Sequence, residues 1–187
     1  DFNTLTWELD TTCQSDLDFY RVYFKPFIQE DFVLLETINL DETYELTHTQ
    51  HNSVAGCYFI AGVDTFANET PIIGDGQCFD NCPVYEIPNI ITPNGDGIND
   101  LLQPFPYQNI ESIHLQIFNR WGEKIYDYQG DPDFTWDGIE DVFGNPVSDG
   151  VYYYVCDVNE IRLNGIQTVQ INSFFHVVQN AELNQVD

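Results

Sequence analysis

The chain has 187 residues, 43% of them hydrophobic, and 5 Lys+Arg against 31 Asp+Glu, for a formal net charge of −26. That is too apolar for a disordered acidic tail. A surface this negative repels phosphate backbones and anionic membranes, which excludes nucleic-acid binding, and no apolar run approaches the roughly 20 residues a membrane-spanning helix needs. The length suits one domain or two small ones, and the tandem reading is the better one. A cut at residue 87 leaves 2 basic and 16 acidic residues before it and 3 basic and 15 acidic after it, so neither half has a basic face. The chain starts at Asp1 without a charged-then-apolar leader and contains no Met, as expected of a mature or excised fragment with any export signal upstream.

In chain order the apolar residues follow strand periods. Leu5-Thr6-Trp7 reads as an early strand with a core Trp. In Asp18 to Phe24, the residues Tyr20, Val22 and Phe24 share one face, with Phe19, Arg21 and Tyr23 on the other. Gly56 to Asp64 reads as a further strand followed by a turn. Ile113, Leu115 and Ile117 alternate with Ser112, His114 and Gln116, a half-buried strand with one wet face. Lys124-Ile125-Tyr126 begins the next strand, with Asn119 to Gly122 as the hairpin turn. Val151 to Cys156 is apolar on both faces, which predicts a central strand, either covered on both sides or shielding a neighbour with its outer tyrosines. Gly144, Gly150, Gly165, Pro132 and Pro146 punctuate the second half at the spacing of a β-sandwich. The expected fold is all-β, two tandem immunoglobulin-like or fibronectin-like sandwiches joined by a stiff Cys- and Pro-containing connector over residues 80–87.

Five cysteines in an acidic, aromatic-rich chain favour an oxidising compartment. Cys13, Cys57, Cys78 and Cys82 are the disulfide candidates, with three possible connectivities. Cys156, inside the Tyr-rich strand, is the expected buried free thiol. Zinc is the competing reading of Cys78-x-x-x-Cys82, without nearby Cys or His to complete four ligands.

Residues 1–79 resemble a fibronectin type III or related immunoglobulin-like module through Leu5-Thr6-Trp7, Phe19 to Tyr23, and Gly56 to Asp64 followed by Ala67 to Thr70. The short segment before Trp7 implies a missing or truncated first strand. Four further motifs occur in order after Pro88: Pro93-Asn94-Gly95-Asp96-Gly97-Ile98-Asn99-Asp100, Asn119-Arg120-Trp121-Gly122, Trp136-Asp137-Gly138, and Gly150 with Tyr152 and Tyr154. Together they resemble the gliding-motility-associated C-terminal domain, the type B sorting domain of type IX secretion, from Pro88 to about Gln179, which sets residues 88–187 as that domain. That resemblance implies a folded C-terminal signal read by the type IX translocon and its outer-membrane cargo-docking protein. It also implies export through the periplasm and outer membrane to the surface of Bacteroidetes-type bacteria, with adhesins among the cargo. The acidic extension to Asp187 departs from the family, which commonly ends in a strand with a basic residue near its terminus. A cell-surface adhesion module, binding a glycan or protein through the first domain, is the alternative function.

The residues offer little chemistry. Asn94, Asp96 and Asp100 could place oxygens around calcium, but an EF-hand frame puts Thr92 and Gln103 at its first and last positions, so a tight Asx-rich turn is expected and no cofactor is required. His48 and His51 read as an exposed loop, and Asp131 and Asp133 as a solvated turn. Asn68-Glu69-Thr70 is a formal glycosylation sequon, and Asp10-Thr11-Thr12 resembles a bacterial O-glycosylation signal. No nucleophile elbow or phosphate loop is present, so the expectation is a protein that is not an enzyme. Arg120, one of three basic residues after residue 87, is expected to clamp acidic loops from Asp96, Asp100 and Asp137 rather than to dock a partner.

Overall fold

The computed structural model describes residues 1–8, 16–40, 44–141 and 143–179. It is all-β, and among the described residues no helix is long and apolar enough to cross a membrane. The chain divides into two compact units. One is Asp1–Cys82 with Ile161–Gly165, and the other is Pro83–Glu160 with Ile166–Asp187. The segment 80–87, read from sequence as a connector, is therefore divided: Asp80, Asn81 and Cys82 fall in the first unit and Pro83 to Ile87 in the second.

In the first unit, β1 (Phe2–Thr6) pairs antiparallel with β4 (Glu45–Thr49). Facing them is a four-stranded sheet in the order β3 (Val33–Asn39), β2 (Leu17–Lys25), β5 (Gly56–Asp64), β6 (Gln77–Phe79). The alternation in β2 does what its period demands: Tyr20 and Val22 are buried and Phe24 packs against the same core with Leu5, Ile38 and Tyr58. Trp7 lies just beyond β1, partly buried, with its ring 5.9 Å from that of Tyr20 in an edge-on arrangement. The smaller sheet holds two strands among the described residues.

Three polar side chains are buried among the described residues of this unit: Lys25, Ser53 and Asn81. Lys25 Nζ donates to Asp75 Oδ1 at 2.7 Å and to the Ile28 carbonyl at 2.8 Å. Asn81 Oδ1 accepts the Val54 and Ala55 N–H groups, and its Nδ2 donates to Ser53 Oγ and to the Ile161 carbonyl. Beside it, Asp80 accepts from Arg162 and from the Leu163 N–H. These bonds fix the five residues Ile161–Gly165 within the first unit, because a buried amide with all its groups satisfied is costly to disrupt.

The second unit is built on a five-stranded sheet in the order β11 (Lys124–Gly130), β10 (Ile110–Phe118), β12 (Gly150–Arg162), β13 (Gly165–Val177), β8 (Ile90–Ile91). A second layer holds β7 (Val84–Tyr85) paired with β9 (Tyr107–Gln108), together with bridges between Leu102 and Trp136 and between Ile139 and Pro146. In β10, Ile113, Leu115 and Ile117 are buried, as the alternation predicts. The Tyr-rich β12 is the middle strand. It is not covered on both faces: Tyr152, Tyr154, Cys156 and Val158 point into the core, while Tyr153 is half exposed. Phe175 is fully buried, with the rings of Trp136, Tyr152 and Tyr154 all within 6.5 Å of its own.

Cys57 and Cys78 are register partners on β5 and β6 and form a disulfide. Cys78 is thereby unavailable to the zinc reading. Cys82 is exposed and free, and Cys13 lies outside the described residues. Cys156 is buried and free, and burial, with Asp157 adding to it, pushes its thiol up to about 12, so it is inert in the folded protein. The disulfide spans 21 positions, and restricting a loop of that size in the unfolded chain gives roughly 2 to 4 kcal/mol. The double variant Cys57→Ala/Cys78→Ala should lose stability in that range in denaturant titration. In alkylation of the native wild-type chain, Cys82 should react and Cys156 should not.

Candidate functional site

The topology of the second unit gathers the sequence motifs. β8 runs parallel to β13, with Ile90 opposite His176 and Ile91 opposite Val177. β10 runs antiparallel to β12, with Phe118 opposite Tyr153. The loop after Ile91, the turn after Phe118, the start of β12 and the end of β13 therefore share one end of the sheet. The Trp136-Asp137-Gly138 motif joins them there: a side chain at Gly138 would lie 3.5 Å from the Pro93 ring, and Val147 N donates to the Gly138 carbonyl at 2.8 Å. A cleft of about 110 Å³ runs between Asn119, Arg120 and Trp121 on one side and Ser148, Asp149 and Tyr152 on the other.

Most motif residues at this end build the loops that bear them. The Asp100 carboxylate accepts the N–H groups of Asn94, Gly95 and Gly97 at 3.0, 2.8 and 2.7 Å. Asn94 Oδ1 accepts from Asp96 N, and Asp96 Oδ1 from Ile98 N. Gly95 and Gly97 have φ of +82° and +84° and Asn99 has +55°, so the Gly and Asn residues supply left-handed backbone at three points of one turn. Hydrogen bonds from Gly95, Gly97 and Asn94 hold the Asp100 carboxyl below its ordinary range. Among the described residues no group of three or more His, Cys, Asp or Glu side chains that could hold a metal ion forms. In the β10–β11 turn, Asn119 Oδ1 accepts from Trp121 N and Glu123 N, and Gly122 has φ of +78°. Trp136 is buried with Nε1 donating to the Ile139 carbonyl, Asp137 accepts from Ile139 N, and Tyr152 donates to the Ser148 carbonyl. Gly150 opens β12 with φ of +155°, and Tyr154 packs in the core.

Arg120 and Trp121 differ from these. Of the five Lys and Arg residues, Arg21, Lys25, Lys124 and Arg162 are in ion pairs with Glu69, Asp75, Asp127 and Asp80. Arg120 forms none among the described residues. It is exposed, with its guanidinium 5.6 Å from the centre of the Trp121 ring, and Trp121 is itself 82% exposed. The expected clamp on Asp96, Asp100 and Asp137 is thus corrected: Asp100 and Asp137 are satisfied by backbone donors, and the guanidinium stacks on its neighbour instead. The turn displays a cation and an indole on a strongly acidic chain.

Sequence reasoning missed a groove of about 440 Å³ beside the Asx-rich loop, lined by Pro88, Ile90, Leu101 and Phe105 with Asp100 and Gln103. Phe105 is 80% exposed, and nothing in its local sequence separates it from a core residue. The other candidates lie apart from this end. His48 is not in an exposed loop: it lies on β4, half-buried, with Nδ1 2.8 Å from the Tyr58 hydroxyl, and burial lowers its pKa. His51 is exposed, and Asp131 and Asp133 are exposed beside Pro132 as read. Asn68 bonds Asp64, and Glu69 bonds Arg21 and Tyr23. Asp10-Thr11-Thr12 and the stretch 180–187 lie outside the described residues.

Residues 85–174 match the family model of the CHU_C type IX secretion signal domain, the family that the four motifs resemble. Solved structures similar to the chain include a tetra-tandem repeat in the extending region of a large adhesion protein, with TM-score 0.44, 10% identity, and 95% of this chain and 49% of that one covered. Dimeric latent PorU from Porphyromonas gingivalis matches with TM-score 0.34 and 13% identity over 91% of this chain and 17% of that one. The chicken CNTN1 FN1–FN3 domains match with TM-score 0.35 and 11% identity over 95% and 62%. The chain covers less than two thirds of each of these three. No curated protein sequence matches it.

The Asx-rich loop gives a direct test. Because the folded pKa of Asp100 is depressed, its contribution is present above the unfolded carboxylate pKa of about 4 and is lost as pH falls through the lower folded value. Asp100→Asn should speed amide exchange at Asn94, Gly95 and Gly97 at neutral pH, and the wild type should show the same loosening only in strong acid. A calcium chelator should leave the wild-type melting temperature unchanged.

Proposed function

We propose that residues 88–187 act as a C-terminal secretion and surface-display signal, recognised as a folded domain by the type IX secretion apparatus, and that residues 1–79 form a fibronectin-like spacer before it. The observation that carries this reading is the match of residues 85–174 to a type IX secretion signal domain. It is supported by the convergence of four motif loops on one end of the unit that bears them. On this reading the chain is the terminal part of a larger adhesin-like protein that passes through the periplasm and outer membrane to the cell surface. The partners are the translocon and its outer-membrane cargo-docking protein. The chain performs no catalysis and needs no cofactor.

Recognition of a folded domain requires a displayed contact, and among the motif residues described above the Arg120 and Trp121 side chains are exposed and outside the loops' own hydrogen bonds. Trp and Arg are among the residue types enriched where a few side chains dominate a protein contact. The test fuses a fluorescent reporter with a periplasmic signal to the full chain in a type IX host. Surface or medium fluorescence should require the translocon, and equal export from a strain lacking it would end the proposal. Arg120→Gln and Trp121→Ala should change stability by about 0.5 kcal/mol or less, as exposed substitutions do. Each should lower export by roughly tenfold, the effect of losing about 1.4 kcal/mol of contact.

A further inference from the structure

The two edges of the five-stranded sheet are treated differently. On the β11 edge, Lys124 and Asp127 form an ion pair, the register shifts between Ile117 and Phe118, and the Asp141 segment bonds across, with Asp141 N to the Ile125 carbonyl and Asp127 N to Asp141 Oδ2. Charge, irregularity and a covering loop are the devices that stop a sheet edge from recruiting another strand. The β13 edge has none of these. β8 covers it only at His176 and Val177, and the thirteen residues Gly165–Val177 contain no Asp, Glu, Lys, Arg or Pro, in a chain of net charge −26.

The orientation of the open edge follows from register. Thr168 pairs with Asn159, Gln170 with Asp157, and Tyr152 stacks on Phe175, so β13 stays in step with β12 throughout this stretch. His176 N donates to the Asn89 carbonyl at 2.8 Å and Val178 N to the Ile91 carbonyl at 3.1 Å, so these residues point their backbone groups towards the β8 lane. Strand alternation then directs the N–H and C=O of Thr168, Gln170, Asn172 and Phe174 into that same lane. Among the described residues no strand pairs with β13 on this side before His176. The open stretch is about 20 Å long at strand rise. Beside it, Val169 is exposed and Ile171 packs on the core from the inner face.

We propose that the Thr168–Phe174 edge of β13 receives an extended strand from a protein partner, which continues the lane that β8 begins. Backbone pairing supplies the affinity of such an addition and alternate side chains the selectivity. The strand that fits sets apolar residues beside Val169 and Ile171, uncharged ones beside Gln170 and Asn172, and Lys or Arg at its flanks. The flanking charge follows from the acidic surroundings, which also disfavour a second copy of this chain as the occupant. The proposal goes beyond the export reading and does not depend on it.

The test uses the full chain and a synthetic peptide of four Thr-Val pairs flanked by two lysines at each end, with amide hydrogen exchange read by NMR. The peptide should slow exchange at Thr168, Gln170, Asn172 and Phe174 by about tenfold or more, the protection expected of new cross-strand bonds, and leave Val169 and Ile171, already bonded to β12, unchanged. The same peptide with aspartate flanks should give no protection. Gln170→Pro removes one lane-facing N–H together with the side-chain bond to Asp157 but no backbone bond to β12, and Gln170→Lys loses the same side-chain bond and adds an edge charge with the backbone intact. Both should abolish peptide protection, and the lysine variant should melt like the parent. Unchanged exchange at the four amides, or equal protection of both variants, would overturn the proposal. So would protection that rises with protein concentration in the absence of peptide, since the occupant would then be a second copy.

Discussion

Burial of the Phe175 ring is the constraint on which the second unit depends. There β13, the middle strand β12 and the second layer meet, through Tyr152, Tyr154 and Trp136. Removing a ring from such a site costs about 3 to 5 kcal/mol, a large share of the stability of a small domain. The geometry follows from it. With Phe175 inward, Phe174 and His176 face outward and Val177 returns to the core opposite Ile91, and Trp136 is held where its chain can turn at Gly138 against Pro93. One buried aromatic thus places loops that are far apart in sequence at one end of the sheet.

The scarcity of cations shapes the rest. With 31 acidic residues and five basic ones, carboxylates cannot be neutralised in pairs, so backbone N–H groups do much of the work. Asp64, Asp80 and Asp100 each accept from the main chain, which leaves the few cations to specific tasks. The side-chain bond from Lys124, with a further one from His114, holds Asp127 at about 2, so that ion pair persists into strong acid. Lys25 is spent inside a core. Against this economy an exposed Arg120 stacked on an exposed Trp121 is conspicuous.

Much of the fold was legible because one-sided burial leaves a period in the sequence. Ile113, Leu115 and Ile117 declare their face, and the Asn, Asp and Gly residues of 94–100 declare left-handed backbone. Signals failed where the answer lay in distant partners. Asn81 reads as an ordinary loop residue, yet its partners are Val54, Ala55 and Ile161. The pairing of Cys57 with Cys78 depends on the register of two strands, and the face of Tyr153 on what covers it. For Arg120 the error was physical: a guanidinium among acids was expected to clamp them, whereas Asp100 and Asp137 had already found donors in their own loops.

The first unit is discontinuous in sequence, and this bears on the order in which the chain can fold. Asp80 and Asn81 find their Arg162, Leu163 and Ile161 partners only in a turn made some eighty residues later. During synthesis or passage through a pore, an emerging first unit holds a polar amide for which it has no complete set of bonds. Its consolidation waits on the β12–β13 hairpin, which belongs chiefly to the other unit. Completion of the first unit is therefore set by the arrival of the residues that follow Gly150.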